Sequence, residues 1–358
     1  MVDRNSYVPM YQQVKNDIEE QILDGRIAIG EKLMSETEMM HHYNVGRVTI
    51  RNALAELVAA GCLRKEQGLG TFCSALPKSE ERKNIDVLLN TSDKYFIPYF
   101  LTGISRVLDA GKYNLILHDT QDSTENIAAM IRQVLQHGTA GIILQPFTGT
   151  ANVPESCVQA ISCCAEQNVP LITIDGTFRD MDTAHVINND EHGGFMATRH
   201  LIERGHRNIL GLFRNRNRDS EFRSAGYRTA MEEAGLPVRM LNADGIAPEM
   251  LVETIRNEEI TGIVCYNDYL AVQCYHCFDR FGLKVGRDVS IVGFDDTELS
   301  RNAIPRLTTV THPKEKMGEK AAELLLHWIE ETIQPPIHYV FQPDLIERDS
   351  VQRKTGTF

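Results

Sequence analysis

The sequence predicts a multidomain protein: an N-terminal winged helix-turn-helix of the α+β class, followed by an α/β unit of two doubly wound lobes. The chain of 358 residues is too long for one small core. Its first part reads as three amphipathic helices and a β-hairpin. Beyond residue 84, apolar runs of five to seven residues alternate with helical segments, which indicates parallel strands buried on both faces.

The three N-terminal helices are predicted from their apolar spacing and their end signals. Apolar residues at intervals of three and four define the first helix: Tyr11, Val14, Ile18 and Ile22. Gly25 ends that helix. Ser35 and Glu38 predict a capping box at the start of the second helix, in SETEMMHHYN. The third helix runs through RVTIRNALAELVAAG, and Gly61 ends it.

The third helix and the hairpin after it predict a DNA-binding surface. In a helix-turn-helix, the start of the second helix of the motif enters the major groove. There Arg47, Thr49 and Arg51 would reach base edges and phosphates, because an arginine fork reads guanine well. The segments CLRKE and TFCSA, joined by QGLG, form the hairpin wing, and the turn at Gly68 brings Lys65 and Gln67 close to the DNA backbone. The alternative is a helical subdomain whose arginines are only solvated.

Composition restricts the class of protein. The net charge is −12, and the first 76 residues are not basic overall, so any affinity for nucleic acid must come from a local cluster. The chain has neither an apolar run long enough to span a membrane nor a secretory signal, so we expect a cytoplasmic protein with no membrane partner. The eight cysteines show no disulfide framework, and the pair Cys274 and Cys277 lies in a predicted helix without further ligands.

Catalytic motifs are absent from the sequence. It contains no G-x-S-x-G elbow, no Walker A loop and no H-E-x-x-H pair. We therefore expect no enzyme, no catalytic residue, no cofactor and no metal site.

The N-terminal segment resembles a known family. LMSETEMMHHYNVGRVTIRNALAELVAAGCLRKEQGLGTFC is similar to the DNA-binding domain of GntR-type bacterial regulators, and the resemblance covers residues 6–75. It implies DNA contacts for Arg47, Thr49, Arg51, Gln67 and Gly68, and it places Thr37 at the start of the helix before the turn. Two residues depart from the family pattern: Met34 replaces a proline, and Gly46 replaces a serine that would bond to phosphate.

The rest of the chain resembles a second family. HVINNDEHGGFMATRHLIERGHRNILGLF, VSIVGFDDTELS and PRLTTVTHPKEKMGEKAAELLL are similar to the sensor domain of LacI/GalR regulators, over about residues 84–350. This implies a periplasmic-binding-protein-like fold, with two lobes joined by three crossings and a ligand in the cleft. We expect domains at 1–75 and 85–358 with a linker at 76–84. Lobe 1 is expected at about 85–188 and 303–333, and lobe 2 at about 189–302 and 334–358.

Polar residues after the predicted strands suggest the ligand site. Ligands of open α/β sheets bind beyond the carboxyl ends of the strands, where Asp175, Asn267 and Asp295 follow apolar runs. Asp175 has an alternative role as the cap of a following helix. The resemblance implies hydrogen bonds to ligand from Arg223, Asn267 and Asp295. Further candidates are a packing pair and three polar residues: Tyr95, Phe96, Gln145, Arg216 and Asp219. Carboxylate, amide and guanidinium groups suit a polyol.

The resemblances together predict a homodimeric transcriptional repressor that binds double-stranded operator DNA. We expect it to control a sugar-utilisation operon and to leave the operator, by allostery, when a small sugar binds, with L-arabinose as the first expectation. Three alternatives stay open: a purine or other non-sugar effector, an N-terminal module that binds protein instead of DNA, and a hydrolase or isomerase acting on a sugar.

Overall fold

The structure, a computed structural model, describes residues 9–76, 82–91, 96–149, 152–179 and 181–354. It divides into two compact units, residues 1–82 and 83–358, which we call the N-terminal unit and the C-terminal unit. No helix of the described residues is both long enough and apolar enough to cross a bilayer.

The N-terminal unit has the predicted winged helix-turn-helix fold. Its elements are α1 (Met10–Leu23), α2 (Glu36–Tyr43), α3 (Arg47–Ala59), β1 (Leu63–Glu66) and β2 (Gly70–Cys73). The spacing correctly predicted the buried face of α1, because Val14, Ile18 and Ile22 pack in the core. β1 and β2 pair antiparallel with Leu63 opposite Cys73, which confirms the hairpin.

Local hydrogen bonds determine where α2 begins and how the chain turns after it. The Ser35 hydroxyl accepts from the backbone N–H of Glu38, and the Glu38 carboxylate accepts from the backbone N–H of Ser35. The predicted capping box is therefore confirmed. Asn44 ends α2 with a φ of 52°, a left-handed conformation that asparagine tolerates better than most residues. This turn leads directly into α3.

Lobe 1 of the C-terminal unit is a parallel sheet covered by helices. It begins with β3 (Lys83–Leu89), α4 (Ile97–Val107), β4 (Tyr113–Asp119), α5 (Thr124–Gln136), β5 (Gly141–Leu144), α6 (Glu155–Glu166), β6 (Leu171–Ile174) and β7 (Ala184–Asn188). Two later elements, α12 (Lys314–Ile329) and β13 (His338–Phe341), return to this lobe. The strand order is β13-β7-β6-β5-β3-β4, and all neighbouring strands are parallel.

Lobe 2 repeats this architecture. Its elements are α7 (Asp190–Glu203), β8 (Ile209–Phe213), α8 (Arg218–Glu233), β9 (Met240–Asn242), α9 (Pro248–Asn257), β10 (Gly262–Cys265), α10 (Asp268–Arg280), β11 (Ser290–Asp295), α11 (Glu298–Asn302), β12 (Thr308–Thr311) and β14 (Leu345–Ile346). The strand order is β14-β12-β11-β10-β8-β9, and only β14 is antiparallel to its neighbour. The predicted doubly wound α/β lobes are confirmed.

The chain crosses between the lobes at three places, and two of the expected lobe boundaries are wrong. The first crossing, between β7 and α7, is where we predicted it. The segment 303–333 was expected to lie wholly in lobe 1, but β12 pairs with β11 in lobe 2, so this crossing lies at about His312. The segment 334–358 was expected in lobe 2, but β13 pairs with β7 in lobe 1. Both strands are short: β12 pairs with the strand that precedes it, before the chain crosses, and β13 pairs with a strand more than a hundred residues earlier.

The predicted linker also needs a correction at its C-terminal side. Residues 83 and 84 of the expected linker 76–84 already belong to β3, where they pair with Tyr113 and Asn114. Residues 77–81 of the linker lie outside the described residues. The seven apolar runs became β3, β4, β5, β6, β8, β10 and β11, while β7, β9, β12, β13 and β14 were not predicted.

Candidate nucleic-acid interface and ligand-binding cavity

The first turn of α3 presents its side chains to solvent. Arg47 and Arg51 are exposed, and Thr49 is half-buried beside the buried Ile50. Val48, between them, is 72% exposed. Within the described residues no side chain caps the start of α3, where Gly46 stands at the N-cap. The backbone N–H groups of this turn are therefore directed outward, as they are where helix N-termini bind phosphate.

The wing presents a second exposed segment. Lys65, Gln67 and Gly68 are all exposed, and Gly68 has a φ of 79°, which a residue with a Cβ rarely adopts. Thr37, in the first turn of α2, is exposed as well. The seven residues predicted to bind DNA thus lie on three elements: α2, α3 and the wing.

A single carboxylate connects these three elements. Glu36, the first residue of α2, has one oxygen 3.1 Å from Nε of Arg51 and the other 3.2 Å from Nζ of Lys65. The hydrogen bond from Lys65, together with that from Arg51, lowers the pKa of the Glu36 carboxyl against a smaller opposing effect of burial. Glu36 is therefore ionised and holds the α3 arginine beside the wing lysine.

A cavity of about 750 Å³ lies between the two lobes of the C-terminal unit, at the carboxyl ends of the strands. Lobe 1 contributes Asn90, Phe96, Asp122, Gln145, Phe147, Thr148, Gly149 and Asp175. Lobe 2 contributes Arg214, Asn215, Arg216, Asn217, Asp219, Tyr266, Asn267 and Tyr269. Among the predicted ligand residues, the structure brings together Phe96, Gln145, Arg216, Asp219 and Asn267. Tyr95 lies outside the described residues.

The lobe 1 wall of this cavity is held by Gln145 and Asp175. The Gln145 amide donates to the Asp175 carboxylate at 3.2 Å and accepts from the backbone N–H of Asn90 at 3.2 Å. Asp175 follows β6 with a φ of 62°, and no helix begins at the described residues directly after it. Its alternative role as a helix cap is therefore wrong, and the strand-end argument placed it correctly.

The lobe 2 wall is formed by the starts of two helices. The side-chain oxygen Oδ1 of Asn267 caps α10 by accepting a hydrogen bond from the backbone N–H of Leu270 at 2.9 Å. Asp219, in the first turn of α8, is half-buried, and its pKa is raised to about 7 by desolvation and by the nearby negative charges of Asp175 and Asp190. Arg216 is exposed in the loop before α8. Donors and acceptors therefore face the cavity from both lobes.

Arg223 and Asp295 are not among the residues that line the cavity; they lie behind its wall in a buried network of charges. The Arg223 guanidinium donates to the backbone oxygen of Tyr266 at 2.8 Å and lies 3.6 Å from Asp295. It also stacks on Phe294, with Cζ 3.7 Å from the ring centroid. Burial disfavours the charged guanidinium, but the negative charges of Asp190 and Asp295 outweigh this effect and raise the pKa of Arg223 above its ordinary value.

The second crossing of the chain completes the network. His312 places Nε2 2.8 Å from Asp175 of lobe 1, although not aligned for a hydrogen bond, and Nδ1 3.3 Å from Asp295 of lobe 2. Lys314 lies 3.2 Å from the same Asp295 oxygen. Burial and Lys314 both disfavour a charged imidazole, yet the two carboxylates raise the pKa of His312. No sequence pattern pointed to His312 or Lys314, because Asp175 and Asp295 lie far from them in the chain.

The lobes also touch at the cavity rim, where five residues form what we call the interlobe clasp: Thr148, Gly149, Gly176, Asn217 and Arg218. The backbone N–H of Arg218 donates to the Thr148 oxygen at 2.9 Å, and Gly149 forms a β-bridge with Asn217. The Arg218 side chain lies against Gly176 so closely that an added Cβ would clash with its Nη2 atom. Sequence patterns did not predict these loop contacts.

A winged helix with exposed arginines and a two-lobed domain with a polar interlobe cavity together define a ligand-responsive, DNA-binding transcriptional regulator. Residues 10–73 match the family model for bacterial regulatory proteins of the gntR family, and residues 198–351 match that for a periplasmic binding protein-like domain. In the described residues no group of three His, Cys, Asp or Glu side chains is placed to hold a metal ion.

Two similar repressors match nearly the whole length of this chain. The arabinose metabolism transcriptional repressor of Geobacillus stearothermophilus is 30% identical over 96% of this chain and 98% of its own length. The repressor of the same name from Halalkalibacterium halodurans is 29% identical over 95% and 96%. A LacI family transcriptional regulator from Enterococcus faecium, solved with bound ribose, has a TM-score of 0.65 and 22% identity, and the match covers 76% of this chain and all of that one. The chain belongs to the family of transcriptional repressors that join a GntR-type DNA-binding domain to a LacI-type, periplasmic-binding-protein-like domain.

Proposed function

We propose that this repressor controls a sugar-utilisation operon and leaves its operator when a small sugar, L-arabinose first, enters the interlobe cavity. The observation that carries the proposal is that one cavity is lined by Asp175 from lobe 1 and by Asn267 and Asp219 from lobe 2. Sugar hydroxyls both donate and accept hydrogen bonds, so such a mixed set suits them. The names of the relatives favour arabinose among sugars.

A purine effector is the competing proposal, because Phe96 faces the cavity and aromatic rings stack on bases. However, Lys314 occupies one face of the Phe96 ring, with Nζ 4.1 Å from the centroid. A cation–π contact of this kind leaves less of the ring for a base. The geometry therefore favours a sugar, bound by Phe96, Gln145, Arg216, Asp219 and Asn267, with Arg223 and Asp295 supporting the wall from behind.

The same proposal includes the other properties expected of such a regulator. We propose a homodimer, since dimers match paired half-sites and β4 leaves lobe 1 with an open sheet edge on which Leu117 is 40% exposed. The protein is proposed to act in the cytoplasm, where its operator DNA is. It is proposed not to be an enzyme, because the similar proteins that match nearly its whole length are named transcriptional repressors.

Thermal unfolding of the full chain tests the effector. L-arabinose, other pentoses, hexoses, sugar phosphates and purines are compared at equal concentration. A ligand at a hundred times its dissociation constant adds about 2.7 kcal/mol of stability, which raises the melting temperature by a few degrees. We expect a selective shift with one sugar. A shift with purines only would refute the sugar proposal and leave the DNA-binding proposal intact.

The proposed DNA interface consists of Thr37, Arg47, Thr49, Arg51, Lys65, Gln67 and Gly68. Replacing Arg51 by Ala should weaken binding to a selected operator duplex by tenfold or more, since a bidentate base contact is worth about 1–3 kcal/mol. The thermal shift with the effector should not change. Titration of a fluorescent duplex measures the first, and unchanged DNA affinity would refute the placement of Arg51 in the interface.

A further inference from the structure

Glu36 is a negative charge inside a surface that is proposed to bind a polyanion. Its side chain is only 23% exposed, and its two oxygens lie 3.1 Å from Arg51 and 3.2 Å from Lys65. A carboxylate here repels DNA phosphates and cancels part of the attraction of the two cations. The described part of the N-terminal unit shows what this charge provides in return: a fixed position for the arginine of α3 relative to the wing.

The contact to Arg51 leaves a particular edge of the guanidinium available. Glu36 accepts from Nε of Arg51, and no other contact of that guanidinium is found among the described residues. The Nη1 and Nη2 atoms therefore remain for the O6 and N7 atoms of a guanine, which an arginine contacts as a fork. An arginine side chain has many rotamers, so holding it in position before DNA arrives reduces the entropy lost when it binds a base.

The contact to Lys65 acts on a different element. Lys65 is on β1, in the wing, and the same carboxylate holds its ammonium group. To bind a phosphate of any sequence, Lys65 and Arg51 must give up or share Glu36. Losing the contacts to Glu36 costs free energy. On operator DNA the bonds of Arg51 to a guanine offset this cost, whereas on other DNA no base contact offsets it.

We propose that Glu36 is a positioning residue that orients Arg51 for guanine and weakens the binding of Arg51 and Lys65 to phosphates of non-operator DNA. Glu36 thereby raises the ratio of operator affinity to non-specific affinity. This inference rests on the proposed placement of Arg51 in the DNA interface.

The test compares Glu36→Gln with the wild type on two duplexes of equal length: one selected from random DNA by the wild-type protein, and one scrambled. For the scrambled duplex, we expect Glu36→Gln to bind several-fold more tightly. The plot of log affinity against log salt should become steeper by about one, because each added phosphate contact contributes about 0.9. The ratio of operator to scrambled affinity should fall about tenfold, the value of one weakened bidentate contact.

A base analogue separates positioning from a change in charge. Replacing single guanines of the selected duplex by 7-deazaguanine removes the N7 acceptor. The wild type should lose affinity at one guanine of each half-site, Arg51→Ala should lose that sensitivity, and Glu36→Gln should show a reduced sensitivity. Full sensitivity in Glu36→Gln would show that Glu36 does not position Arg51.

Two further variants control the experiment. Glu66→Gln makes the same change in net charge in the wing, but Glu66 pairs with Arg64 at 2.8 Å and not with Arg51 or Lys65. An equal effect of Glu66→Gln would overturn the proposal in favour of net charge. Glu36→Asp keeps the charge but is too short to reach both cations, so it should lower the affinity ratio with little change in salt dependence, and it serves if Glu36→Gln is poorly folded. If the wild type does not prefer its selected duplex, the proposed DNA interface fails together with this inference.

Discussion

At the scale of single residues, the C-terminal unit surrounds some carboxyl groups with apolar or negatively charged neighbours, which oppose their ionisation, and others with positive charges, which favour it. Asp268, which follows the cavity residue Asn267, is a carboxyl group whose pKa is set mainly by burial. Its oxygens accept from the backbone N–H of Thr297 at 2.8 Å and from the Thr309 hydroxyl at 2.5 Å. Burial, followed by the nearby charge of Asp295, raises its pKa to about 7. The helix that carries Asn267 therefore begins with a carboxyl group that holds its proton in mildly acidic solution.

This pKa predicts how the stability of the protein depends on pH. Asp268 binds a proton in the folded state up to about pH 7, but in the unfolded state only up to about pH 4. Between these values the free energy of unfolding falls as the pH rises, by at most about 1.4 kcal/mol per unit from this group, and above pH 7 the contribution is constant. We expect Asp268→Asn to lose this slope, which urea unfolding at pH 5, 6, 7 and 8 would measure.

The wild type is the internal control for that comparison. Asp219 also has a pKa of about 7 and contributes a similar slope to both proteins, so the difference between them isolates Asp268. Relative to the wild type, Asp268→Asn should gain stability from pH 5 to pH 7. Parallel curves over this range would contradict the raised pKa of Asp268.

At the scale of elements, α8 has two roles in the cavity. Its first turn carries Asp219, a wall residue, and Arg218, which belongs to the interlobe clasp. Arg218 is buried, and burial lowers its pKa although the charges of Asp219 and Asp175 oppose this. The clasp therefore connects the closure of the lobes to the position of the wall on which a ligand would bind.

A methyl group at Gly176 should open this clasp. In Gly176→Ala the new Cβ occupies the space of the Arg218 guanidinium, so the end of this side chain must move away from its position against Gly176. We expect effector affinity to fall about tenfold, which lies within the range of about 0.5–3 kcal/mol for the interaction energy between two residues in contact. Most of the change should be a faster dissociation of the effector. Calorimetry and stopped-flow displacement, using the sugar found in the thermal screen, would measure both.

The matched control is the same substitution in an Arg218→Ala background. There the new methyl group meets no guanidinium, so Gly176→Ala should have little further effect. If the two substitutions are additive, their effects are independent, and the contact between Gly176 and Arg218 does not hold the clasp.

At the scale of the whole molecule, a repressor released by a ligand must couple two sites, one in each unit. Binding free energies in such a cycle are reciprocal. The operator must therefore lower the protein's affinity for the effector by the same factor by which the effector lowers its affinity for the operator. Coupling free energies of this kind are typically about 1–3 kcal/mol, a change of about 5–150-fold. We expect effector titrations with and without saturating operator duplex to differ by the factor found in operator titrations with and without effector. Equal effector affinity in the two titrations would rule out release by the effector.

The sequence alone determined the winged helix in nearly all its detail. Helix spacing, the capping box of Ser35 and Glu38 and the glycine turn of the wing are interactions between residues close in the chain, which sequence patterns record directly. The same holds for the seven apolar strands, whose burial on both faces demands a continuous run of apolar residues. In the cavity, the strand-end rule placed Asp175 and Asn267 among the lining residues, but Asp295, which the same rule named, is not among them.

Only the tertiary structure decided which strands complete each sheet and which charges meet. β12 and β13 are short, and their lobe depends on β11 and β7, so the predicted boundaries at 303 and 334 were wrong. Asp175, Arg223, Asp295 and His312 come together from separate strands, a helix and a crossing, and their pKa values depend on that meeting. Burial and charge act through space, and a sequence pattern reports only neighbours along the chain.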